Sequence, residues 1–109
     1  MSRDSIGEFE TLILLAILRV GKEAYGVPIL EEIRRRTNRR ILRPAVYVAL
    51  RRLEEKGLVR GREDDTSADR GGRPRRYFEV CPEGLAALRY ARENLLSMWD
   101  GLEAVLDEV

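Results

Sequence analysis

Leu85, Leu88, Arg92, Leu95, Trp99, Leu102, Leu106 and Val109 recur at alternating spacings of three and four. This is a heptad seam, interrupted once by Arg92. The helical pattern starts at Pro82, a residue suited to a first turn, and predicts one helix of about 27 residues, roughly 40 Å long at 1.5 Å per residue. A chain of 109 residues forms one domain with a single modest core. A helix of that length cannot bury its seam on so small a body, so it needs a partner. A second copy of the chain is the expected one, with Leu88, Leu95, Trp99, Leu102 and Leu106 as candidate dimer contacts.

The rest of the chain divides into short elements. Over residues 7–20, Phe9, Leu12, Ile13, Ala16, Ile17 and Val20 form a helical stripe, widened by Leu14, Leu15 and Leu18 until the helix is nearly all apolar. Gly21 should end it. A second helix is expected from Pro28, with Ile29, Leu30 and Ile33 inward, and Thr37-Asn38 should close it. A third runs from Pro44 to Lys56, stopped by Gly57. It turns Val46, Ala49, Leu50 and Leu53 inward and Pro44, Val48, Arg51, Arg52 and Glu55 outward, with Tyr47 on the flank. Leu58–Arg62 and Arg75–Val80 alternate like strands, and the Gly-, Asp- and Arg-rich stretch between them reads as the tip of a hairpin.

Charge is segregated along this order. Between Arg34 and Arg76 fourteen Arg and one Lys face six acids, a local balance of +9 inside a chain of net charge +1. The flanking stretches are acidic. One surface is therefore expected to meet a polyanion, and nucleic acid is the first candidate.

Composition removes other classes. The chain has no histidine, which takes away imidazole general-base catalysis and the commonest metal ligand. Its one cysteine, Cys81, forms no intramolecular disulfide and no Cys-rich zinc site. The acid pairs Glu31-Glu32, Glu54-Glu55 and Asp64-Asp65 are sequence neighbours and diverge rather than converge. No catalytic residues, no metal and no cofactor are expected, and the chain is not read as an enzyme. The longest apolar run, Leu12–Leu18, is too short to span a bilayer, and Asp4, Glu8 and Glu10 stand where a signal peptide would be basic. A cytoplasmic location without a membrane partner is the expectation.

Two helices joined by a short turn and followed by a hairpin make a winged helix–turn–helix. The fold class expected is mainly α with a small β-hairpin: a winged helix–turn–helix over 1–81 and a long C-terminal dimerisation helix over 82–109. In such a unit the third helix lies in the major groove while the hairpin tip reaches phosphates or the minor groove. The partner expected is double-stranded DNA. Candidate DNA contacts are Arg39, Arg40 and Arg43 at the turn, Tyr47, Val48, Arg51 and Arg52 on the third helix, and Arg70, Arg73 and Arg75 on the wing. Arg51 is the foremost candidate for a base or phosphate contact.

The motifs resemble those of the PadR family of bacterial transcriptional regulators. They run through Gly7-Glu8-Phe9-Glu10, Ala24-Tyr25-Gly26-Val27-Pro28-Ile29 and the segment 45–59, AVYVALRRLEEKGLV. They continue through Gly71-Gly72-Arg73-Pro74-Arg75-Arg76-Tyr77-Phe78 and Pro82-Glu83-Gly84. The resemblance covers nearly the whole chain. It implies a homodimeric repressor with an N-terminal winged helix–turn–helix and one long dimerising helix, acting on a pseudo-palindromic operator. Two departures stand out. Leu42 and Pro44 replace the small hydroxyl residue and glycine usual at the entry to the recognition helix, which removes a side-chain cap and a hydroxyl–phosphate contact. Cys81 stands where threonine is usual.

Several residues keep two readings. The Tyr47 hydroxyl bonds a DNA phosphate, or its ring braces the turn. Val48 touches a thymine methyl, or is a small surface valine. Trp99 packs the dimer seam, or stacks a small planar effector between subunits as the resemblance allows; packing is the preferred reading. Cys81 is read as an inert residue rather than a redox sensor. The alternative function is a winged-helix module that binds a protein through the same surface without specific DNA binding.

Overall fold

The computed structural model describes residues 5–64 and 75–109. Helix α1 (Glu8–Val20) leads through a 3-10 turn (Gly21–Glu23) into α2 (Gly26–Thr37) and α3 (Arg43–Glu55). Strands β1 (Val59–Glu63) and β2 (Arg76–Val80) follow, then α4 (Pro82–Trp99) and α5 (Glu103–Asp107). The strands pair antiparallel from Val59 opposite Val80 to Glu63 opposite Arg76. This is the mainly helical winged helix–turn–helix with a small hairpin that the periodicity implied.

The core is aliphatic and lies where the three-helix unit meets the hairpin. Ile13, Leu14, Ile29, Val46, Leu50 and Leu53 are fully buried, one stripe from each of α1, α2 and α3. Phe78 closes the core from β2, and the Phe78 N–H donates to the Ala24 carbonyl at 2.8 Å, so the chain leaving α1 borders the hairpin. At the end of α3 the Leu58 N–H donates to the Leu53 carbonyl, and the Leu58 carbonyl accepts from Cys81 at 2.9 Å. These bonds fix the hairpin and the start of α4 to the same helix end.

Helix boundaries follow local chemistry. Asn38 takes the left-handed conformation (φ 56°) and its N–H returns to the Arg34 carbonyl, closing α2. Helix α2 starts at Gly26, two residues before the proline expected to open it; Pro28 sits within the first turn, where no intrahelical N–H is needed. Helix α3 starts at Arg43 and tolerates Pro44 for the same reason.

The C-terminal element differs from the expectation of one helix over 82–109. Helix α4 ends at Trp99. Gly101 then takes φ 87°, a left-handed conformation that favours glycine, and α5 restarts at Glu103. The Leu102 N–H bonds the Trp99 carbonyl at 2.9 Å, and the Gly101 N–H bonds Glu103 Oε1 at 3.2 Å. The heptad spacing continues across the break, but the continuous seam runs only from Leu85 to Trp99. Leu102 and Leu106 lie on a separate short helix.

Candidate nucleic-acid interface

The turn between α2 and α3 is held by side chains of its own sequence. Thr37 Oγ1 donates to the Ile33 carbonyl at 2.7 Å and accepts from the Arg39 N–H at 3.2 Å. Arg34 Nη2 reaches across the turn to the Ile41 carbonyl at 2.5 Å, while the Ile41 side chain is buried beneath. Arg34 thus positions the entry to α3 rather than presenting free charge. At that entry Leu42 occupies the cap position with no side-chain bond to the helix, as its chemistry requires.

Helix α3 buries Val46, Ala49, Leu50 and Leu53 and exposes Tyr47, Val48, Arg51 and Arg52, the division expected from its periodicity. Arg43, Tyr47 and Arg51 recur every four residues and share one exposed stripe. Tyr47 lies against the first residue of α2. A Cβ on Gly26 would stand 2.6 Å from the Tyr47 hydroxyl oxygen and 2.7 Å from two ring carbons, so glycine is the residue that seats this ring. The bracing contact is therefore present, and the ring is still 45% exposed. Val48 and Arg52 border a shallow groove facing Glu8 and Glu10 at the start of α1.

The arginines separate into two populations. Glu32 accepts from Arg35 at 2.8 Å and from Arg36 at 2.7 Å. Those two bonds, Arg35's first, hold the Glu32 carboxyl below the usual carboxylate range. Arg39 pairs with Glu8 at 2.9 Å, Arg60 with Glu79 at 2.7 Å, and Arg76 with Glu54. By contrast, Arg40, Arg43, Arg51 and Arg52 are exposed and have no ion-pair partner among the described residues. Among the described residues of the basic region, the exposed arginines without a carboxylate partner thus cluster on the turn and the outer face of α3, with Arg62 on the wing besides.

The wing root is aromatic. Tyr25 and Tyr77 meet edge to face at 5.6 Å between centroids. The Arg75 guanidinium lies 4.1 Å above Tyr25, and that of Arg62 lies 4.9 Å from the Tyr77 ring. A hydrogen bond to Tyr77 holds Arg75 above the ordinary arginine value. Arg75 is therefore a half-buried strut as well as a candidate contact. Arg70 and Arg73, the remaining wing candidates, lie outside the described residues.

Away from this surface, α1 and α4 enclose an apolar groove of about 520 Å³, lined among others by Leu15, Leu18, Leu85, Leu88, Leu95 and Trp99. Trp99 is 50% exposed at its far end, and Arg92 lies along its wall. The seam residues Leu88 and Leu95 and the tryptophan share this groove; Leu102 and Leu106, on α5, do not line it. The exposed Leu15 and Leu18 of α1 explain why that helix reads as apolar on almost every side. Cys81 caps α4 and is partly exposed rather than buried. Among the described residues, no helix is long and apolar enough to cross a membrane, and no cluster of His, Cys, Asp and Glu is arranged to hold a metal ion.

Sequence reasoning missed the structural roles of Arg34 and Arg75 and the pairing of Arg39 with Glu8. Only the last left a signal, an acidic first turn in α1 against a basic turn.

Comparison with known proteins places this geometry. Residues 14–90 match the transcriptional regulator PadR-like family. Among solved structures, a PadR family transcription regulator from hypervirulent Clostridium difficile R20291 is similar at 24% identity, with a TM-score of 0.70, over 94% of this chain and 97% of that one. A PadR family transcriptional regulator from Eggerthella lenta DSM 2243 is similar at 28% identity, with a TM-score of 0.67, over 91% and 86%. The ORC1 protein of Aeropyrum pernix, in a structure with DNA, is similar at 24% identity, with a TM-score of 0.65, over 95% of this chain but 27% of that one. No curated protein gives a significant match. With a family match across most of its length, on a winged helix–turn–helix, the chain belongs to the PadR-like family of transcriptional regulators.

Proposed function

We propose that the protein is a homodimeric, sequence-specific DNA-binding repressor that places α3 of each subunit in successive major grooves of a pseudo-palindromic operator. The observation that carries this reading is the partition of the arginines. Arg40, Arg43, Arg51 and Arg52 are exposed without carboxylate partners among the described residues, whereas five others of the same basic region are neutralised. Unpaired guanidinium groups on one helix and its leading turn suit bidentate contacts to phosphate and guanine. The Aeropyrum pernix ORC1 protein, solved in complex with DNA, shares this fold over 27% of its own chain.

The dimer is supported by the groove between α1 and α4. Leu15, Leu18, Leu85, Leu95, Leu96 and Trp99 are each about half exposed there. Covering the rest of each is worth about 1 kcal/mol or more, so their shared burial supplies several kcal/mol toward association. In this arrangement Trp99 is a packed interface residue, and recognition helices of the two subunits stand about one helical turn of DNA, roughly 34–36 Å, apart.

The test is a binding titration of the protein on its own upstream DNA and on scrambled DNA of the same composition, at several salt concentrations. The proposal expects preference for the upstream DNA and a steep linear fall of log K with log[salt]. Equal affinity for both DNAs with a shallow slope would favour a protein-binding module instead.

A further inference from the structure

A second groove lies on the outer face of the wing, between the hairpin and the C-terminal end of α1, with a volume of about 470 Å³. Its floor includes Leu18, Tyr77 and Val80, and its rim carries Lys22, Arg60 and Arg62. Glu79 neutralises Arg60, so the rim keeps a positive excess from Lys22 and Arg62. The arrangement suits an occupant that is both acidic and apolar. The C-terminal segment has this character. Helix α5 and its flanks carry Glu103, Asp107 and Glu108 beside Leu102, Val105 and Leu106, and all of these are exposed.

The segment cannot dock on its own body as a helix. It begins beyond the far end of α4, whose 18 residues span roughly 27 Å. A second copy places it differently. The seam Leu85–Trp99 has its midpoint at Arg92, and antiparallel pairing about that point sets Trp99 of one copy opposite Leu85 of the other. The chain leaving Trp99 then emerges near the start of the other copy's α4, which follows Val80, a residue lining the wing groove. Leu18 borders both this groove and the one between α1 and α4, so the two adjoin at that residue. The turn at Gly101 lets α5 leave the seam beside the start of the other copy's α4, just past the end of its wing strand β2.

We propose that α5 of one subunit docks into the cationic groove behind the wing of the other, clasping the dimer and tying each wing to its partner's C-terminus. This rests on the dimer proposed above. It adds a contact outside the seam, made by the segment that the helix break frees, and it gives Lys22 and Arg62 a protein carboxylate rather than DNA as partner.

The clasp is tested by charge exchange in the full chain, reading the dimer dissociation constant by sedimentation at low salt. Glu103→Lys with Asp107→Lys, and separately Lys22→Glu with Arg62→Glu, are each expected to weaken the dimer about fivefold, and their combination to restore it to within about twofold. Glu103→Gln with Asp107→Asn should act in the same direction by a smaller factor, independently of any folding defect in the reversals. Unchanged dimerisation in the tail variants, or losses that multiply in the combination, would overturn the clasp while leaving the seam dimer standing. A wild-type chain that remains monomeric would overturn both. Loss of DNA affinity in the groove reversal with dimerisation unaltered would also overturn it, by assigning the groove to nucleic-acid backbone.

Discussion

Helix α2 and the outer face of α3 carry nearly the same residues, runs of arginine with interspersed glutamate, yet they end in different states. On α2, Glu32 sits one turn before Arg35 and Arg36 and takes both. On α3, Glu54 and Glu55 follow Arg51 and Arg52 in sequence, but Glu54 turns toward the hairpin and pairs with Arg76. Arg51 and Arg52 are left without carboxylates among the described residues. A charge balance thus locates a surface only coarsely. Which arginines are available depends on where the neighbouring acids are directed, and tertiary structure decides that.

The comparison gives a ranked set of expectations. The largest effect belongs to Arg51→Ala, which should weaken operator binding about tenfold to a hundredfold, some 1–3 kcal/mol, with the dimer intact by sedimentation. Unchanged affinity would move readout to the turn or wing. Next is Arg34→Ala. Losing the bond to the Ile41 carbonyl should cost about 1 kcal/mol in urea unfolding, and affinity should fall only in proportion to the loosened turn. Arg36→Ala should change affinity less than about twofold at moderate salt, because Glu32 already holds it and an exposed pair contributes little to stability. The smallest effect is a pH dependence. Glu32 has a lowered value in the folded chain, so its contribution is present above the unfolded carboxylate value and is lost as pH falls through the folded one. A Glu32→Gln chain should therefore show a slightly flatter acid limb in thermal unfolding than wild type.

Much of the fold was legible because periodicity and punctuation agree. Val46, Ala49, Leu50 and Leu53 declare the inner face of α3, and Asn38 and Gly57 declare where helices stop. The C-terminal break went unread, although glycine just past a helical run is a stop signal. A seam that keeps its spacing through Gly101 masks that signal. Heptad spacing reports which residues are apolar and how far apart they lie, not whether the backbone between them stays helical.

The candidate site was legible by element and not by residue. Tyr47 depends on Gly26, Arg75 on Tyr25 and Tyr77, and Arg39 on Glu8, each a contact between segments distant in sequence. Such partners are set by packing and leave no local pattern. The exposure of Val48 and the missing cap at Leu42, both properties of one helix, were visible directly.

We propose that Arg40, Arg43, Arg51 and Arg52, and not the basic region as a whole, form the DNA surface. The most direct test is the slope of log K against log[salt] on the operator for two fourfold variants. One carries Arg40, Arg43, Arg51 and Arg52 replaced by Gln, the other Arg35, Arg36, Arg60 and Arg76. At about 0.9 in slope per phosphate neutralised, the first should lower the slope magnitude by up to about 3.6, and the second should leave it within about 1 of wild type. Equal reductions in the two variants would contradict the account.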